Sequence, residues 1–129
     1  MTNLYINERR EGDVTVLDLK GRVRAGGNTV ALHKSIRTLI HEEKILVLLN
    51  LAGVTFMDSC GLGELVASHV TLQKCGGELK LLHLTESLRE LMSATNLLDV
   101  FSIYETESEA LLSFASHVVN VKKPQLFFV

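Results

Sequence analysis

The stretch FMDSCGLGE places an acid, a hydroxyl and a thiol side by side at Asp58, Ser59 and Cys60. These groups could form a nucleophilic turn or a phosphate cradle. They could also be only a helix cap, because Asp and Ser are both favoured N-cap residues. A cap does not explain Gly61 and Gly63, since each glycine costs about 1 kcal/mol relative to alanine inside a helix. Glycines here open the helix start to another backbone or to a phosphate, and a helix N-terminus favours anions.

Known catalytic signatures do not fit this stretch. Met57 and Gly61 flank the hydroxyl wrongly for a G-x-S-x-G nucleophile, the GLG lacks the third glycine of a dinucleotide fingerprint, and no Walker lysine follows. A helix N-terminus would favour a thiolate at Cys60, but no histidine lies near it in the sequence to act as a base. If the protein were an enzyme that uses Cys60, the Cys60 thiol would be alkylated faster at neutral pH than the Cys75 thiol.

Metal-ligand patterns and catalytic acid pairs are weak throughout the chain. The histidines form no i, i+4 pair and no H-E-x-x-H motif; they are His33, His41, His69, His83 and His117. His69 falls on an apolar helical stripe, which is typical of a core histidine. We therefore expect no metal, no cofactor and no catalytic residue in this chain.

Composition indicates one cytoplasmic globular domain. The chain has 129 residues, a net charge of −2, 5% aromatics and no Trp, and no Lys/Arg cluster is longer than a pair, which argues against direct binding to nucleic acid. The N-terminus MTNLYINERR lacks an apolar signal region, and ILVLLNLAGV is too short to span a bilayer, so we expect no direct membrane contact. Cys60 and Cys75 are expected to be reduced.

The first half of the chain predicts a hairpin, a helix and a buried strand. Residues 4–9 and 14–19 are rich in β-formers around a turn at REGD. The following GRVRAGGN contains three glycines, which favour a loop, and Asn28 is predicted to cap a helix that ends near Glu43. Residues 45–51 are apolar on both faces, as in a central parallel strand, and a short extended piece follows at 54–56.

The second half alternates helices and strands. A helix is predicted from about Ser59 to Lys74, with a stripe of Leu62, Leu65, Val66, His69, Val70 and Gln73, and it stops at Gly76-Gly77. Strands are predicted at 78–84 and 100–105. Capping-box spacing predicts helix starts at Ser87 with Glu90 and at Thr106 with Glu109, and Asn96 can end the first of these helices; the second carries Leu111, Phe114, Ala115 and Val118 on one side.

This order predicts an α/β fold, with a mixed, mostly parallel sheet opened by a β-hairpin and about four helices. The domain is expected to cover residues 1–119, and residues 120–129 form a C-terminal tail set off by Pro124. Its apolar LFFV end would lie on its own domain or exchange between two subunits, so a homodimer stays open.

The run VLLNLAGVTFMDSCGLGELV, preceded by LKGRV and followed by KCGGELKLLHL, resembles the STAS domain of bacterial anti-sigma factor antagonists. The hallmark of that family is D-S-[ST]-G-L-G after a buried strand, matched here by Asp58, Ser59, Gly61, Leu62 and Gly63. The resemblance implies that Ser59 is the phosphoacceptor of a partner that is both an anti-sigma factor and a serine kinase. It implies that the unphosphorylated chain binds this partner and frees a sigma factor, and that a serine phosphatase reverses phosphorylation.

Two positions depart from the family pattern. Cys60 replaces the usual second hydroxyl, which leaves Ser59 as the sole acceptor in the loop and raises oxidation of Cys60 as a second input. Arg24 stands where family members commonly carry an acid. If that loop lies beside Ser59, as the family topology implies, Arg24 could pair with Asp58 or with a phosphate on Ser59; the alternative is an exposed loop arginine. The predicted partner-binding residues are Arg24, Asp58, Ser59, Cys60, Gly61, Leu62 and Gly63.

The leading hypothesis is a non-catalytic, phosphorylation-controlled anti-sigma factor antagonist. An alternative hypothesis makes the chain a STAS scaffold subunit of a larger sensory or membrane-associated complex, in which Ser59 is only part of a helix cap.

Overall fold

The computed structural model describes residues 3–115. Its strands are β1 (Leu4–Glu11), β2 (Val14–Val23), β3 (Leu46–Met57), β4 (Glu78–Leu82) and β5 (Ser102–Tyr104). Its helices are α1 (Gly27–His41), α2 (Ser59–Lys74), α3 (Glu86–Ala94) and α4 (Glu107–Ser113), and a 3-10 turn at Leu98–Val100 precedes β5. The predicted order of elements is confirmed.

The strands form one sheet in the order β1-β2-β3-β4-β5. The β1–β2 hairpin is antiparallel, and the pairs β2–β3, β3–β4 and β4–β5 are parallel. Helices separate the parallel strands in sequence, as parallel connections require. The predicted mixed, mostly parallel sheet with four helices is therefore confirmed.

The sheet is covered on both faces, which explains why its central strands are apolar on both sides. On one face, α1, α2 and α3 pack against alternate residues of β2, β3 and β4, including Leu17, Leu49 and Leu81. On the other face, Ala110 and Phe114 of the α4 segment pack against the first halves of β2 and β3 and against Leu82 at the end of β4. The second halves of β2 and β3 extend beyond α4, toward the loop before α2.

Three strands run further than the sequence predicts, and β1 does so by two residues, to Glu11. The glycine-rich segment was expected to be a loop from Gly21, but β2 continues to Val23, and β3 continues through 54–56 without a break. The reason is that each extension pairs with the other, at Arg22 with Phe56 and at Val23 with Met57. Gly21 adopts a φ of 113° beside a shift in register, which marks a β-bulge that a glycine accommodates.

The buried stripe of α2 is rotated from the predicted one. Leu62 and Leu65 are buried as predicted, but Val70 and Gln73 are exposed, and Leu72 is buried. Ser68 is also buried, and its hydroxyl donates to Glu64 at 3.0 Å, which allows a polar residue to lie on the inner face. A helix between two packing partners need not follow its most apolar stripe.

Strands β4 and β5 are shorter than predicted. His83 has a φ of 59°, which ends β4 at Leu82, and the 3-10 turn takes the first residue of the predicted last strand. The stops at Gly76 and Asn96 are confirmed, because both residues adopt positive φ just after their helices. The tail at 120–129, the boundary at 119 and Val118 lie outside the described residues.

Helix caps were predicted correctly at one of three positions. Thr106 caps α4 and accepts from the Glu109 N–H, as predicted. Asn28 is not a cap: α1 begins after Gly26, and the Asn28 Nδ2 donates instead to the Arg22 carbonyl at 2.7 Å. Ser87 is not a cap either, because Thr85 precedes α3 and accepts from the Leu88 N–H.

Thr85→Ala is expected to lower the free energy of unfolding by about 1 kcal/mol, because the first turn of α3 loses a side-chain acceptor. Ser87→Ala is the matched control and is expected to change it by less than about 0.5 kcal/mol, since Ser87 is exposed and caps nothing. Urea unfolding of both variants checks this. A larger loss in Ser87→Ala than in Thr85→Ala would restore the predicted capping box.

A charged cluster joins α4 to the sheet. Arg9 of β1 donates to Asp18 of β2 at 2.7 Å and to Glu107 of α4 at 2.6 Å, and Asn50 of β3 donates to Asp18 at 2.8 Å. The hydrogen bonds from Arg9, with a smaller contribution from Asn50, lower the pKa of Asp18 to about 2. The cluster therefore holds Asp18 ionised in the folded protein.

Acid is expected to weaken this cluster. Because the pKa of Asp18 is lower in the folded chain than its ordinary 3.8, its stabilisation is complete above about pH 4 and is lost as the pH falls through about 2. Between pH 5 and pH 2, wild type is expected to lose about 1–2 kcal/mol more than Asp18→Asn in urea unfolding, after allowance for partial exposure. Equal losses in the two proteins would show that Asp18 does not carry the effect.

Candidate functional site

The site lies where β3 ends and α2 begins, at the carboxyl end of the parallel strands. Asp58 follows the last residue of β3 directly, and its N–H donates to the Val23 carbonyl at 3.2 Å. That bond continues the β2–β3 pairing to the start of α2. It brings the loop after β2 beside Ser59, as the family resemblance implies. Ligands of open α/β sheets collect at this edge.

Asp58 is the cap of α2, which decides between the two predicted capping residues. One carboxylate oxygen accepts from the Gly61 N–H at 2.9 Å, and the other accepts from the Ala25 N–H at 3.0 Å. These backbone hydrogen bonds, the one from Ala25 first, lower the pKa of Asp58 and keep it ionised. One carboxylate therefore ties the helix start to the β2–α1 loop.

Ser59 is left with an exposed side chain at the first position of α2. Within residues 3–115, its hydroxyl forms no hydrogen bond, because Asp58 already satisfies the cap. A hydroxyl at this point can be reached from solvent, and groups attached to it would lie near the free N–H groups of the first turn. Ser59 therefore takes no part in the cap of α2.

Gly61 and Gly63 differ in whether the surrounding structure requires a glycine. A Cβ on Gly61 would collide with the Val23 carbonyl oxygen and would lie 2.9 Å from the Met57 Cγ, so the end of β2 requires this glycine. Gly63 is exposed, and a Cβ there would meet nothing within 4 Å. The close approach inferred at both glycines is thus made within this chain at Gly61, whereas Gly63 leaves an open surface.

Gly61 and Leu62 face the interior, and Leu62 is only 4% exposed. Their predicted part in partner binding would therefore be to shape the turn. Asp58, Ser59, Cys60 and Gly63 form its outer surface, so direct contact with a partner falls to them and to the neighbouring loop.

Arg24 lies exposed in the loop beside Asp58, and an ion pair with Asp58, one of the alternatives that the sequence left open, does not form among residues 3–115. The acceptor atoms of Asp58 are taken by the backbone N–H groups of Ala25 and Gly61. The positive charge of Arg24 still contributes to lowering the pKa of Asp58, as the smallest of several causes. Pairing with a phosphate on Ser59 stays a prediction.

Cys60 is an exposed free thiol, as is Cys75. No side chain within residues 3–115 forms a hydrogen bond or an ion pair with the Cys60 thiol. A cysteine nucleophile works with a base in hydrogen-bond reach, so the described geometry offers no support for catalysis by Cys60.

Two of the histidines, His33 and His69, have contacts in the described residues that bear on their role. His33 of α1 contacts Glu64 of α2, with 3.2 Å between Nδ1 and the carboxylate. His69 packs its ring 5.1 Å from that of Phe101, but it is only half-buried, and its Nδ1 has no hydrogen-bond partner among the described residues, so it is not the satisfied core histidine that its sequence position predicts. Within the described part of the chain, no three His, Cys, Asp or Glu side chains are grouped as metal ligands.

Sequence reasoning missed two residues of this surface, Phe56 and Arg22. Phe56 is 49% exposed although it stands in an apolar run, and Arg22 lies across from it in the register of β2 and β3. Alternation along β3 was the available signal: because Met57 faces the core, Phe56 must face outward.

No helix in the described residues is long and apolar enough to cross a bilayer.

Comparison with known proteins identifies the family of this chain. The STAS domain model matches residues 5–110. The anti-sigma F factor antagonist of Paenibacillus polymyxa is 23% identical over 109 residues, which cover 84% of this chain and 93% of that protein.

Solved structures show the same fold. The crystal structure of an anti-sigma factor antagonist from Mycobacterium paratuberculosis superposes with a TM-score of 0.74 at 23% identity, covering 86% of this chain and 93% of that one. SpoIIAA of Bacillus in its phosphorylated form has a TM-score of 0.67 at 21% identity, covering 83% and 96%. From the match that spans most of its length, this chain belongs to the STAS domain family, as its sequence resemblance predicted.

Proposed function

We propose that this chain is a cytoplasmic anti-sigma factor antagonist whose binding is controlled by phosphorylation of Ser59. The unphosphorylated chain binds an anti-sigma factor that also has serine kinase activity, and binding frees a sigma factor. The kinase transfers the γ-phosphoryl group of ATP to the Ser59 oxygen, with release of ADP and a proton. A serine phosphatase returns the serine by hydrolysis to inorganic phosphate. This chain is then a substrate and a binding protein, with no catalysis of its own.

The observation that carries this proposal is that Asp58, and not Ser59, caps α2. Asp58 accepts the capping bond from the Gly61 N–H and a second bond from the Ala25 N–H of the β2–α1 loop, so the cap does not need the Ser59 hydroxyl, which is exposed and unbonded within the described residues. A serine that served only as a cap would instead accept from the N–H groups of the first turn. The names of the relatives support the antagonist role, and the phosphorylated form of SpoIIAA supports a covalent switch on this fold.

Phosphorylation can change binding here without refolding. A phosphate adds roughly −1.5 to −2 charges at neutral pH, and the N-terminus of α2 can hold that charge where it forms. A partner packed over Gly63 and the Ser59 turn would then meet new bulk, a desolvation cost and altered charge together. Such changes at the centre of an interface reduce affinity while the sheet and helices stay as they are.

Capture from the native host tests the proposal, with wild type, Ser59→Ala and Ser59→Asp as baits and mass spectrometry to identify retained proteins. We expect a histidine-kinase-like ATPase on wild type and Ser59→Ala, and its loss on Ser59→Asp. If all three baits retain the same very large assembly, the scaffold alternative is favoured. Retention of the same partners by all three, or of none, would contradict the phosphorylation switch.

A further inference from the structure

A half-exposed phenylalanine forms a ridge beside the Ser59 turn. Phe56 is two residues before Asp58 and is 49% exposed, although burying a phenylalanine side chain away from water is favourable. Its side chain points to the face of the sheet opposite Met57. On that face, α4 packs only against the first halves of β2 and β3 among the described residues. Within the described residues, nothing in the fold covers this side chain fully.

Grooves run along both sides of the ridge. On the β2 side, Arg22, Arg24, Thr55 and Phe56 line an open groove of about 310 Å³. On the α3 side, a groove of about 280 Å³ lies between Val54 to Met57 of β3 and Leu88 and Leu91 of α3. The second groove exists because β4 pairs with β3 only as far as Asn50, which leaves the end of β3 beside α3.

The two grooves differ in chemistry. The first contains two exposed arginines, and neither guanidinium forms a hydrogen bond or an ion pair within residues 3–115. The second is lined mainly by apolar side chains, and its polar lining residues are Thr55, Thr85 and Ser87, none of them charged. An apolar side chain with carboxylates on one side of it would complement both grooves, because arginine forks bind carboxylates in a bidentate manner.

We propose that Phe56, with Arg22 and Arg24, anchors an acidic segment of the anti-sigma factor that carries an apolar side chain for the neighbouring groove. This proposal rests on the proposed function and names the chemistry of its partner. The anchor is continuous with the Ser59 turn, since Arg24 lies in the same loop as Ala25, which bonds to Asp58. A partner could therefore cover the ridge and the turn together.

This arrangement also explains how a phosphate on Ser59 would weaken binding of the partner. A phosphate on Ser59 would form next to the loop that carries Arg24, and its negative charge would compete with the carboxylates of the partner for the same arginines. The phosphate would thus repel the acidic segment and occupy its binding charges at once. Phosphorylation at one turn would in this way weaken an anchor several residues away.

The test uses the purified anti-sigma factor recovered in the capture experiment and measures its affinity for variants of the full chain. Phe56→Ala is expected to weaken binding about thirtyfold, as for a central aromatic anchor. Arg22→Glu with Arg24→Glu is expected to weaken it at least about tenfold, chiefly by slowing association, and to flatten its dependence on salt.

Matched controls separate the anchor from general effects. Leu112→Ala removes a side chain that is 74% exposed on α4, and Lys74→Glu reverses an exposed charge at the far end of α2. Both are expected to stay within about twofold of wild type. Thermal unfolding of each variant identifies any loss of affinity that comes from an unfolded fraction.

Wild-type affinity for Phe56→Ala and for the double arginine variant, with Ser59→Asp still impaired, would overturn the anchor and leave the proposed function standing. If wild type binds no anti-sigma factor, the proposed function fails and the anchor with it. Self-association of the free chain in sedimentation that Phe56→Ala abolishes would assign the ridge to a second copy, and that result also overturns the proposal.

Discussion

Gly61→Ala is expected to lower the free energy of unfolding by about 2 kcal/mol, as for an overpacked core position. The new methyl group would collide with the Val23 carbonyl oxygen and lie 2.9 Å from both the Met57 Cγ and the Val23 Cγ1. The carbonyl belongs to backbone that is paired with β3, so it cannot turn aside as the end of a flexible side chain would. The helix start must then shift away from β2.

Gly63→Ala, two residues away, is expected to change the free energy of unfolding in the opposite direction. Its Cβ would meet nothing within 4 Å, so alanine should stabilise the fold by about 0.5–1 kcal/mol through helix propensity. Urea unfolding of both variants measures the contrast. If both alanines stabilise the fold, the close approach of β2 to the α2 start is wrong; if both destabilise it, the open surface at Gly63 is wrong.

The phosphorylated chain is expected to bind the anti-sigma factor at least about a hundredfold more weakly than the unphosphorylated chain, which corresponds to about 2.7 kcal/mol. The reason is that bulk and roughly two negative charges would enter an interface that closes over an exposed serine. Ser59→Ala should bind within about threefold of wild type, because Asp58 and not Ser59 holds the cap. Titration calorimetry with stoichiometrically phosphorylated protein measures the difference.

Ser59→Asp is a partial control for this effect, since a carboxylate carries one charge and less bulk than a phosphate. Its loss of affinity is expected to lie between those of Ser59→Ala and of the phosphorylated chain. Circular dichroism of the phosphorylated chain should match that of the unmodified chain, because the switch needs no refolding. Equal affinity of the phosphorylated and unmodified chains would rule out the switch.

The sequence predicts the order of elements well because its strongest signals are local. The apolar run of the central strand, the turn at Gly12 and the stops at Gly76 and Asn96 each depend on a few neighbouring residues. The Thr106 cap is of the same kind, since its acceptor and donor lie three residues apart.

Predictions that depended on distant partners were wrong. Asn28 has the right chemistry for a cap, but the carbonyl of Arg22 in the preceding strand takes its amide. Strand β2 runs through Gly21 because the end of β3 offers a partner, which the local glycine content does not reveal. The phase of the α2 stripe likewise depends on what the helix packs against.

The site shows the same division. The sequence singles out Asp58 and Ser59 but does not choose between them as the cap, because both residue types can accept from the first turn of a helix. The second bond of Asp58, from the Ala25 N–H 33 residues earlier in the chain, could not be predicted from local sequence. Family resemblance suggested that Arg24 lies near Ser59, and the structure places its loop there without the ion pair to Asp58. Phe56 was missed because an aromatic in an apolar run normally belongs to the core.

The most direct test of the central claim is phosphoryl transfer from γ-labelled ATP by the purified anti-sigma factor, followed by mapping of the labelled peptide. Wild type should take up close to one phosphate per chain, at Ser59, and Ser59→Ala should take up none while still binding the kinase. Label on Ser59→Ala at the wild-type level, or a kinase that binds the chain and never labels it, would contradict the account.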